Sequence, residues 1–88
     1  MIENISVIGL SKLGLCYASV LQSKGFNVFG YEISEKVISK IKYNSAPFVE
    51  TGLQNLINQN EILHLCRSEK ECIEKTELIV IVLPTPSL

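Results

Sequence analysis

Apolar residues follow two different periods along the chain, one typical of strands and one typical of helices. Short apolar runs predict strands at residues 5–8, 26–31, 62–66 and 78–83. The segments between these runs predict helices at residues 12–24, 34–41, 53–58 and 69–75. The elements therefore alternate as βαβα(α)βαβ. Alternating units of this size predict an α/β fold with a parallel sheet and right-handed crossovers.

Residues at the helix ends support these boundaries. Gly25 follows a lysine and predicts the end of the first helix, and Ser34 provides an N-cap for the second. Ser68 and Glu71 have the spacing of a capping box. In that motif the Ser68 hydroxyl accepts from an amide, and the Glu71 carboxylate reaches back to the cap.

The first predicted strand runs directly into a short segment that contains two glycines. The segment reads Gly9, Leu10, Ser11, Lys12, Leu13 and Gly14. A dinucleotide loop uses the spacing G-x-G-x-x-G for a tight turn, close backbone approach to the pyrophosphate and close helix–strand packing. Gly9 and Gly14 stand at its first and third positions, and Ser11 stands at the middle one. The helix N-terminus still offers amides and a positive dipole end to a phosphate.

Two interpretations of Ser11 remain open from the residues alone. Its hydroxyl could donate to a phosphate oxygen, or it could cap the helix by accepting from the amide of Leu13 or Gly14. The second arrangement would use amides that a pyrophosphate needs. Lys12 could add a phosphate contact, although a solvated lysine is the simpler interpretation.

An acidic residue ends the second predicted strand. Glu32 lies 23 residues after Gly9 and 18 residues after Gly14, where the carboxylate that binds the adenosine ribose is expected. A carboxylate there repels a 2′-phosphate, so NAD is favoured over NADP. The alternative is an acid that only flanks the next helix.

The composition narrows the classes of partner. Eight Lys/Arg residues against nine Asp/Glu residues give a formal net charge of −1, so no basic excess exists for a nucleic acid. The longest apolar run is far shorter than the roughly 20 residues that span a bilayer. The N-terminus also lacks the basic region of a signal peptide. We therefore expect a cytoplasmic chain with no nucleic-acid or membrane partner.

The cysteines and the histidine do not form a ligand cluster in the sequence. Cys16, Cys66 and Cys72 are widely spaced, and the simplest interpretation is three reduced, buried thiols. His64 stands between two leucines and is expected to be an ordinary strand residue.

These features together resemble the nucleotide-sugar dehydrogenases, which act on UDP-glucose, GDP-mannose and UDP-N-acetylmannosamine. Four segments resemble the family in order: VIGLSKLGL at 7–15, VFGYEI at 28–33, PFVETGL at 47–53 and LPTP at 83–86. The third discriminates most, because it resembles the family's P-x-x-E-P-G-L, with Thr51 in place of proline. Glu32 stands where the family usually has aspartate. The resemblance covers nearly all of this chain but only the first part of a family enzyme.

The resemblance implies a site and a strand order. Residues 9–14 would hold the NAD pyrophosphate, and Glu32 would hold the adenosine ribose. Lys36 is similar to a family lysine that contacts NAD, although it is one residue closer to the acid. Thr85, with Pro84 before it, would lie beside the cofactor at the carboxyl end of the fourth strand. The implied fold is a Rossmann-like, partial doubly wound parallel sheet with strand order 3-2-1-4.

The resemblance also implies a function. Family members oxidise a sugar primary alcohol to a carboxylate in two NAD-dependent hydride steps, through a cysteine thiohemiacetal. None of the three cysteines has the glycine-rich context of the family nucleophile, and the family's catalytic lysine and substrate-binding half have no counterpart here. We therefore expect residues 1–88 to form a single partial dinucleotide-binding domain of a nucleotide-sugar 6-dehydrogenase. It would meet the sugar nucleotide only through further sequence, and it would not turn over alone.

Two alternatives remain open. The chain could be a non-enzymatic module for nucleotide binding or protein association, or it could work with the catalytic half of another chain. The last strand, from Leu78 to Leu83, bears on the first alternative. Its continuous apolarity predicts cover on both faces. Under the strand order 3-2-1-4 it lies at a sheet edge, which predicts a homo-oligomer or association through this strand.

Overall fold

The computed structural model describes residues 2–83. It contains four strands and four helices in the predicted alternation. Their bounds are β1 Asn4–Ile8, α1 Lys12–Ser23, β2 Asn27–Tyr31, α2 Glu35–Lys42, α3 Leu53–Gln59, β3 His64–Leu65, α4 Glu69–Lys75 and β4 Leu78–Ile81. The predicted order βαβα(α)βαβ is thereby confirmed.

The four strands form one parallel sheet in the order β3-β2-β1-β4. Val7 in β1 lies between Gly30 of β2 and Val80 of β4. This arrangement confirms the predicted order 3-2-1-4. The strand order reverses at β1, because β2 lies on one side of β1 and β4 lies on the other. Ligands of such sheets bind in the crevice outside the carboxyl ends of the strands at this reversal.

Two strands are shorter than predicted. β3 spans two residues instead of 62–66, because its register with β2 covers only the pairs Phe29–His64 and Gly30–Leu65. β4 ends at Ile81 instead of Leu83, because its register with β1 ends where β1 itself ends. Each is an edge strand with one neighbour in the sheet, so its length is limited by that neighbour.

The two faces of β1 meet different helices. Val7 belongs to an apolar cluster on the α1 face of the sheet. The buried members of that cluster are Val7, Leu10, Leu15, Ala18, Val28, Ile41, Leu53 and Leu63. On the opposite face, the Ser6 hydroxyl bonds to the Cys72 carbonyl of α4 at 3.0 Å and to the Thr76 hydroxyl at 2.7 Å. The sheet is therefore covered by α1 and its neighbours on one side and by α4 on the other.

The helix ends follow most of the predicted capping. Gly25 has φ +96°, and the hydroxyls of Ser34 and Ser68 accept from amides three residues later. The Glu71 part of the predicted capping box is wrong. Its carboxylate accepts from the amide of Arg67 at 3.4 Å instead of reaching the cap residue. The amide of Cys66, the preceding residue, donates to the Gly30 carbonyl of β2. The amide of Arg67 therefore points to the free edge of the sheet, where the Glu71 carboxylate accepts from it.

The apolar strand β4 is not covered on both faces. Leu78 and Ile81 are 42% and 63% exposed, so the predicted cover is wrong for the part of the chain described. The reason is positional, because β4 lies at the edge of the sheet and α1 and α4 pack mainly on β1 and β2. None of the helices between residues 2 and 83 has the length and apolarity needed to cross a membrane.

Candidate functional site

Gly9 and Gly14 allow the start of α1 to approach the ends of β1 and β4. Gly9 has φ +99°, and a Cβ on it would collide with the carbonyl oxygen of Val82. A Cβ on Gly14 would collide with the carbonyl oxygen of Gly9. The Gly9 amide donates to the Tyr31 carbonyl at 2.9 Å, which fixes the turn against β2. Both glycines are thus required by close backbone packing.

Ser11 occupies the middle position of the loop with an ordinary backbone conformation. Its φ is −64°, a value that any L-residue adopts, so this position does not need glycine for its dihedral angle. The hydroxyl makes no capping hydrogen bond, so the capped alternative is not seen. The first backbone bond of the helix runs from the Leu15 amide to the Ser11 carbonyl at 2.8 Å. The amides of residues 12–14 precede that bond and are available to a ligand.

Glu32 links the loop to the start of α2. Its Oε1 accepts from the amide of Leu10 at 2.8 Å, and its Oε2 accepts from the amide of Ser34 at 2.8 Å. The side chain of Leu10 is fully buried, and this burial anchors the Leu10 amide beside the core. Each carboxylate oxygen has a second lone pair, which can accept from a hydroxyl. Glu32 is therefore more than a helix-flanking acid, since it also bonds to the glycine loop.

A cleft lies beside this carboxylate. Its volume is about 390 Å³. Its lining includes Gly9, Ser11, Glu32, Ile33, Val37 and Val82. Polar groups of the loop and the carboxylates of Glu32 and Glu69 line the cleft together with apolar side chains. A cleft of this composition suits a ribose on the polar side and an aromatic base on the apolar side.

A second cleft, of about 670 Å³, lies between α1 and α3. Its apolar wall contains Leu13, Cys16 and Leu53. At its rim, the Lys12 ammonium contacts the Glu50 carboxylate at 3.1 Å. Glu50 lies in the segment 47–53 that resembles the family motif, but no local pattern in the sequence pairs it with Lys12.

The remaining predicted site residues are placed as follows. Lys36 is exposed in α2 and lines neither of the two clefts described above. Leu13 is exposed on α1. Pro84 and Thr85 lie outside the described residues. The structure therefore brings together Gly9, Ser11 and Glu32 around one cleft, and it places Ser11, Lys12 and Leu13 around the other.

The cysteines are free thiols. Cys72 is buried as predicted, whereas Cys16 and Cys66 are half-buried. Burial, a hydrogen bond with Cys72 and the charges of Cys72 and Glu71 raise the pKa of Cys66 to about 12. Burial and the Glu50 charge raise the pKa of Cys16, and Lys12 opposes that shift. Both thiols are therefore protonated at neutral pH, a state that is a poor nucleophile.

The remaining candidate groups have structural environments. His64 stacks on Phe29 across β3 and β2, with ring centroids 4.9 Å apart. This contact supports the interpretation of His64 as an ordinary strand residue. Within the described range of 2–83, no group of three or more His, Cys or carboxylate side chains is arranged to hold a metal ion.

The loop, the acid and the strand order together define a class of protein. A glycine turn leads from β1 into a helix N-terminus, a carboxylate ends β2, and a cleft opens where the strand order reverses. This is the arrangement of a dinucleotide-binding α/β domain. The chain belongs to the UDP-glucose/GDP-mannose dehydrogenase family, and residues 3–88 match the NAD binding domain of that family.

Individual relatives agree with this assignment. The chain is 37% identical over 87 residues to the UDP-N-acetyl-D-mannosamine dehydrogenase of Methanococcus vannielii, covering 99% of this chain and 20% of the relative. It is 34% identical over 86 residues to the GDP-mannose 6-dehydrogenase of Pseudomonas syringae pv. tomato, covering 94% and 20%. A crystal structure of GDP-mannose dehydrogenase from Pseudomonas aeruginosa superimposes with a TM-score of 0.85 at 30% identity, covering 96% and 20%. The chain thus spans about a fifth of the length of these relatives.

Proposed function

We propose that this chain binds NAD as the dinucleotide-binding part of a nucleotide-sugar 6-dehydrogenase. The observation that carries the proposal is the Glu32 carboxylate, which is fixed against the glycine loop by the Leu10 and Ser34 amides. Two oriented carboxylate oxygens beside a cleft are the acceptors that the 2′- and 3′-hydroxyls of a ribose need. Its negative charge also disfavours the 2′-phosphate of NADP.

The start of α1 provides the complementary half of the site. The amides of residues 12–14 precede the first helical hydrogen bond, and the positive end of the helix dipole lies beside them. The Lys12 ammonium at the first helical position adds a positive charge. We infer that the pyrophosphate binds here, between the Gly9 turn and Lys12. When bound, NAD supplies the hydride acceptor that dehydrogenase chemistry requires.

We propose that catalysis needs sequence that this chain does not contain. The half-buried thiols of Cys16 and Cys66 are protonated at neutral pH because burial raises their pKa values. The Glu50 charge opposes ionisation of Cys16, and the Glu71 charge opposes ionisation of Cys66. The sugar nucleotide would therefore be bound and oxidised only together with the remaining four fifths of a family enzyme.

A calorimetric titration of the 88-residue chain with NAD and with NADP tests the cofactor proposal. We expect saturable NAD binding and weaker NADP binding, because the Glu32 carboxylate repels the 2′-phosphate. The expected difference is about tenfold, which corresponds to about 1.4 kcal/mol. The matched control is NADH production from UDP-glucose and UDP-N-acetylmannosamine, which we expect to stay at the no-protein level. Folded protein that shows no NAD binding up to millimolar concentration contradicts the proposal.

A second candidate function is association through β4. The specific observation is an apolar edge strand whose Leu78 and Ile81 side chains are exposed. Unpaired amides and carbonyls on such an edge can pair with another strand. We infer that two copies of the chain associate through this edge.

Sedimentation velocity tests the association. We expect a dimer for the wild-type chain at tens of micromolar, and a monomer for Leu78→Lys, because a charged edge residue opposes strand pairing. Ile73→Lys removes an exposed isoleucine from α4 and should remain dimeric. A wild-type chain that sediments only as a 9.8 kDa species contradicts association through β4.

A further inference from the structure

The one ion pair within residues 2–83 connects the nucleotide site to a distant loop. Lys12 is the first residue of α1, and its Nζ lies 3.1 Å from Oε2 of Glu50. The two side chains are 57% and 41% exposed, so solvent and dissolved anions reach both. Glu50 belongs to the segment 44–52, which joins α2 to α3.

The start of α1 is unusually positive for a helix N-terminus. Its first turn contains no acidic residue, and the Ser11 hydroxyl makes no capping bond. A lysine at this end is disfavoured by the helix dipole, which prefers an anion there. The Glu50 carboxylate is the anion that Lys12 contacts in the structure. Glu50 thus neutralises the positive charge of Lys12, which the proposed pyrophosphate would otherwise neutralise.

The segment that carries Glu50 is tied down on its other side. The Glu50 carbonyl accepts from the Leu53 amide at 3.1 Å, and Leu53 is buried in the core beside α1. The Gln54 side chain bonds to the Ala46 amide at 2.8 Å and to the Asn44 carbonyl at 2.9 Å. These bonds hold the loop together, and the Lys12 contact holds it against the rim of the 670 Å³ cleft.

We propose that Glu50 is a positioning residue that competes with the cofactor pyrophosphate for Lys12. In the unliganded chain Glu50 holds the ammonium at the cleft rim, and pyrophosphate binding takes Lys12 over. The segment 44–52 then loses its ion pair with α1. Cofactor binding and the Lys12–Glu50 ion pair are therefore mutually opposed. This inference rests on the proposed function, because it requires a pyrophosphate at the start of α1.

The reactivity of the Cys16 thiol reports on the charges of Lys12 and Glu50. Its thiol lines the cleft together with Lys12 and Glu50. Its pKa is raised by burial and by Glu50 and is lowered by Lys12. Removing the Glu50 charge should therefore speed alkylation of Cys16, since the thiolate is the reacting form. This readout needs neither bound NAD nor catalytic activity.

Glu50→Gln is the central variant, and Glu74→Gln is its matched control. Glu74 is an exposed acid on α4, which covers the opposite face of the sheet, so its variant removes the same charge away from the site. We expect Glu50→Gln to bind NAD about two- to fivefold more tightly than wild type at low salt, as expected for one exposed ion pair. Glu74→Gln should bind as wild type does. In a Lys12→Met background, Glu50→Gln should have little further effect.

If Glu50→Gln raises NAD affinity by the same factor in the Lys12→Met background, simple charge repulsion between Glu50 and the pyrophosphate explains the gain. That result would overturn the proposed competition for Lys12. Hydrogen exchange supplies a second readout on the loop. We expect exchange at the Leu53 amide to be about two- to fivefold faster in Glu50→Gln than in wild type. Saturating NAD should speed exchange at the same amide of the wild-type chain. Unchanged or slower exchange in both comparisons would overturn the inference.

The failure of the proposed function has a different signature. If no variant binds NAD, the cofactor proposal and the competition both fall. In that case, Leu53 exchange in Glu50→Gln still shows whether the ion pair holds the loop. If NAD binds to wild type but Glu50→Gln changes neither affinity nor exchange, only the role of Glu50 is overturned.

Discussion

Replacing Gly9 with alanine is expected to destabilise the chain by about 4 kcal/mol. Two costs add at this position. The backbone has φ +99°, and an L-side chain in the left-handed region costs about 1 kcal/mol. The new methyl group would also collide with the carbonyl oxygen of Val82. Overpacking against backbone, which cannot rotate away, costs about 3 kcal/mol.

Gly25→Ala is the matched control for this prediction. Gly25 has almost the same φ, +96°, but no atom lies within 4 Å of its added Cβ. It should therefore show only the conformational cost of about 1 kcal/mol. Urea unfolding followed by circular dichroism measures both free energies. Equal losses in the two variants would show that the loop can move away from Val82.

The second large effect is expected at Glu32. Glu32→Ala removes the acceptor proposed for the adenosine ribose, and hydrogen bonds to a charged group contribute about 2 kcal/mol. We therefore expect NAD affinity to fall by about 30-fold, since each 1.4 kcal/mol is a factor of ten. The variant should also lose its preference for NAD over NADP, because the repelling carboxylate is gone.

The same variant should lose stability. Glu32→Ala leaves the amide of buried Leu10 without its acceptor, and an unsatisfied buried donor costs about 1–3 kcal/mol. Calorimetric titration and urea unfolding of one preparation separate the two effects. Glu35→Ala removes an exposed acid from the first turn of α2. It should leave NAD affinity unchanged and cost only about 0.5 kcal/mol of stability. Glu32→Asp should recover part of the NAD affinity, because it restores the carboxylate on a shorter side chain.

An unchanged NAD affinity in folded Glu32→Ala would contradict the ribose assignment. Loss of stability with no loss of affinity would mean that Glu32 serves only to hold the loop. These outcomes are distinguishable because the titration can be run well below the urea midpoint. The comparison therefore separates the binding role of Glu32 from its structural role.

Much of the fold was predictable because local signals and the global topology agree. The β-branched run before Gly9, the caps at Ser34 and Ser68, and the stop at Gly25 each act within a few residues. Their sum determined the alternation of strands and helices, and the crossover rule then limited the sheet to a few arrangements. Agreement between such levels is what makes a sequence foldable.

The failed predictions share a different cause. The predicted cover of β4, the length of β3 and the partner of Glu71 all depend on which element lies alongside. Ile81 is apolar in sequence, but it is exposed because β4 lies at the sheet edge while α1 and α4 pack mainly on β1 and β2. Glu71 accepts from the amide of Arg67, one residue before the cap residue Ser68.

The sequence by itself determined the order of the elements, the glycine loop at residues 9–14 and the acid at the end of the second strand. These follow from spacing, which a linear pattern contains. Only the tertiary structure decided that Glu32 also bonds to the Leu10 amide and that Lys12 pairs with Glu50. Those contacts join residues 22 and 38 positions apart in the chain. Folding brings them within hydrogen-bonding distance because β1 and β2 are neighbours in the sheet and α3 packs against α1.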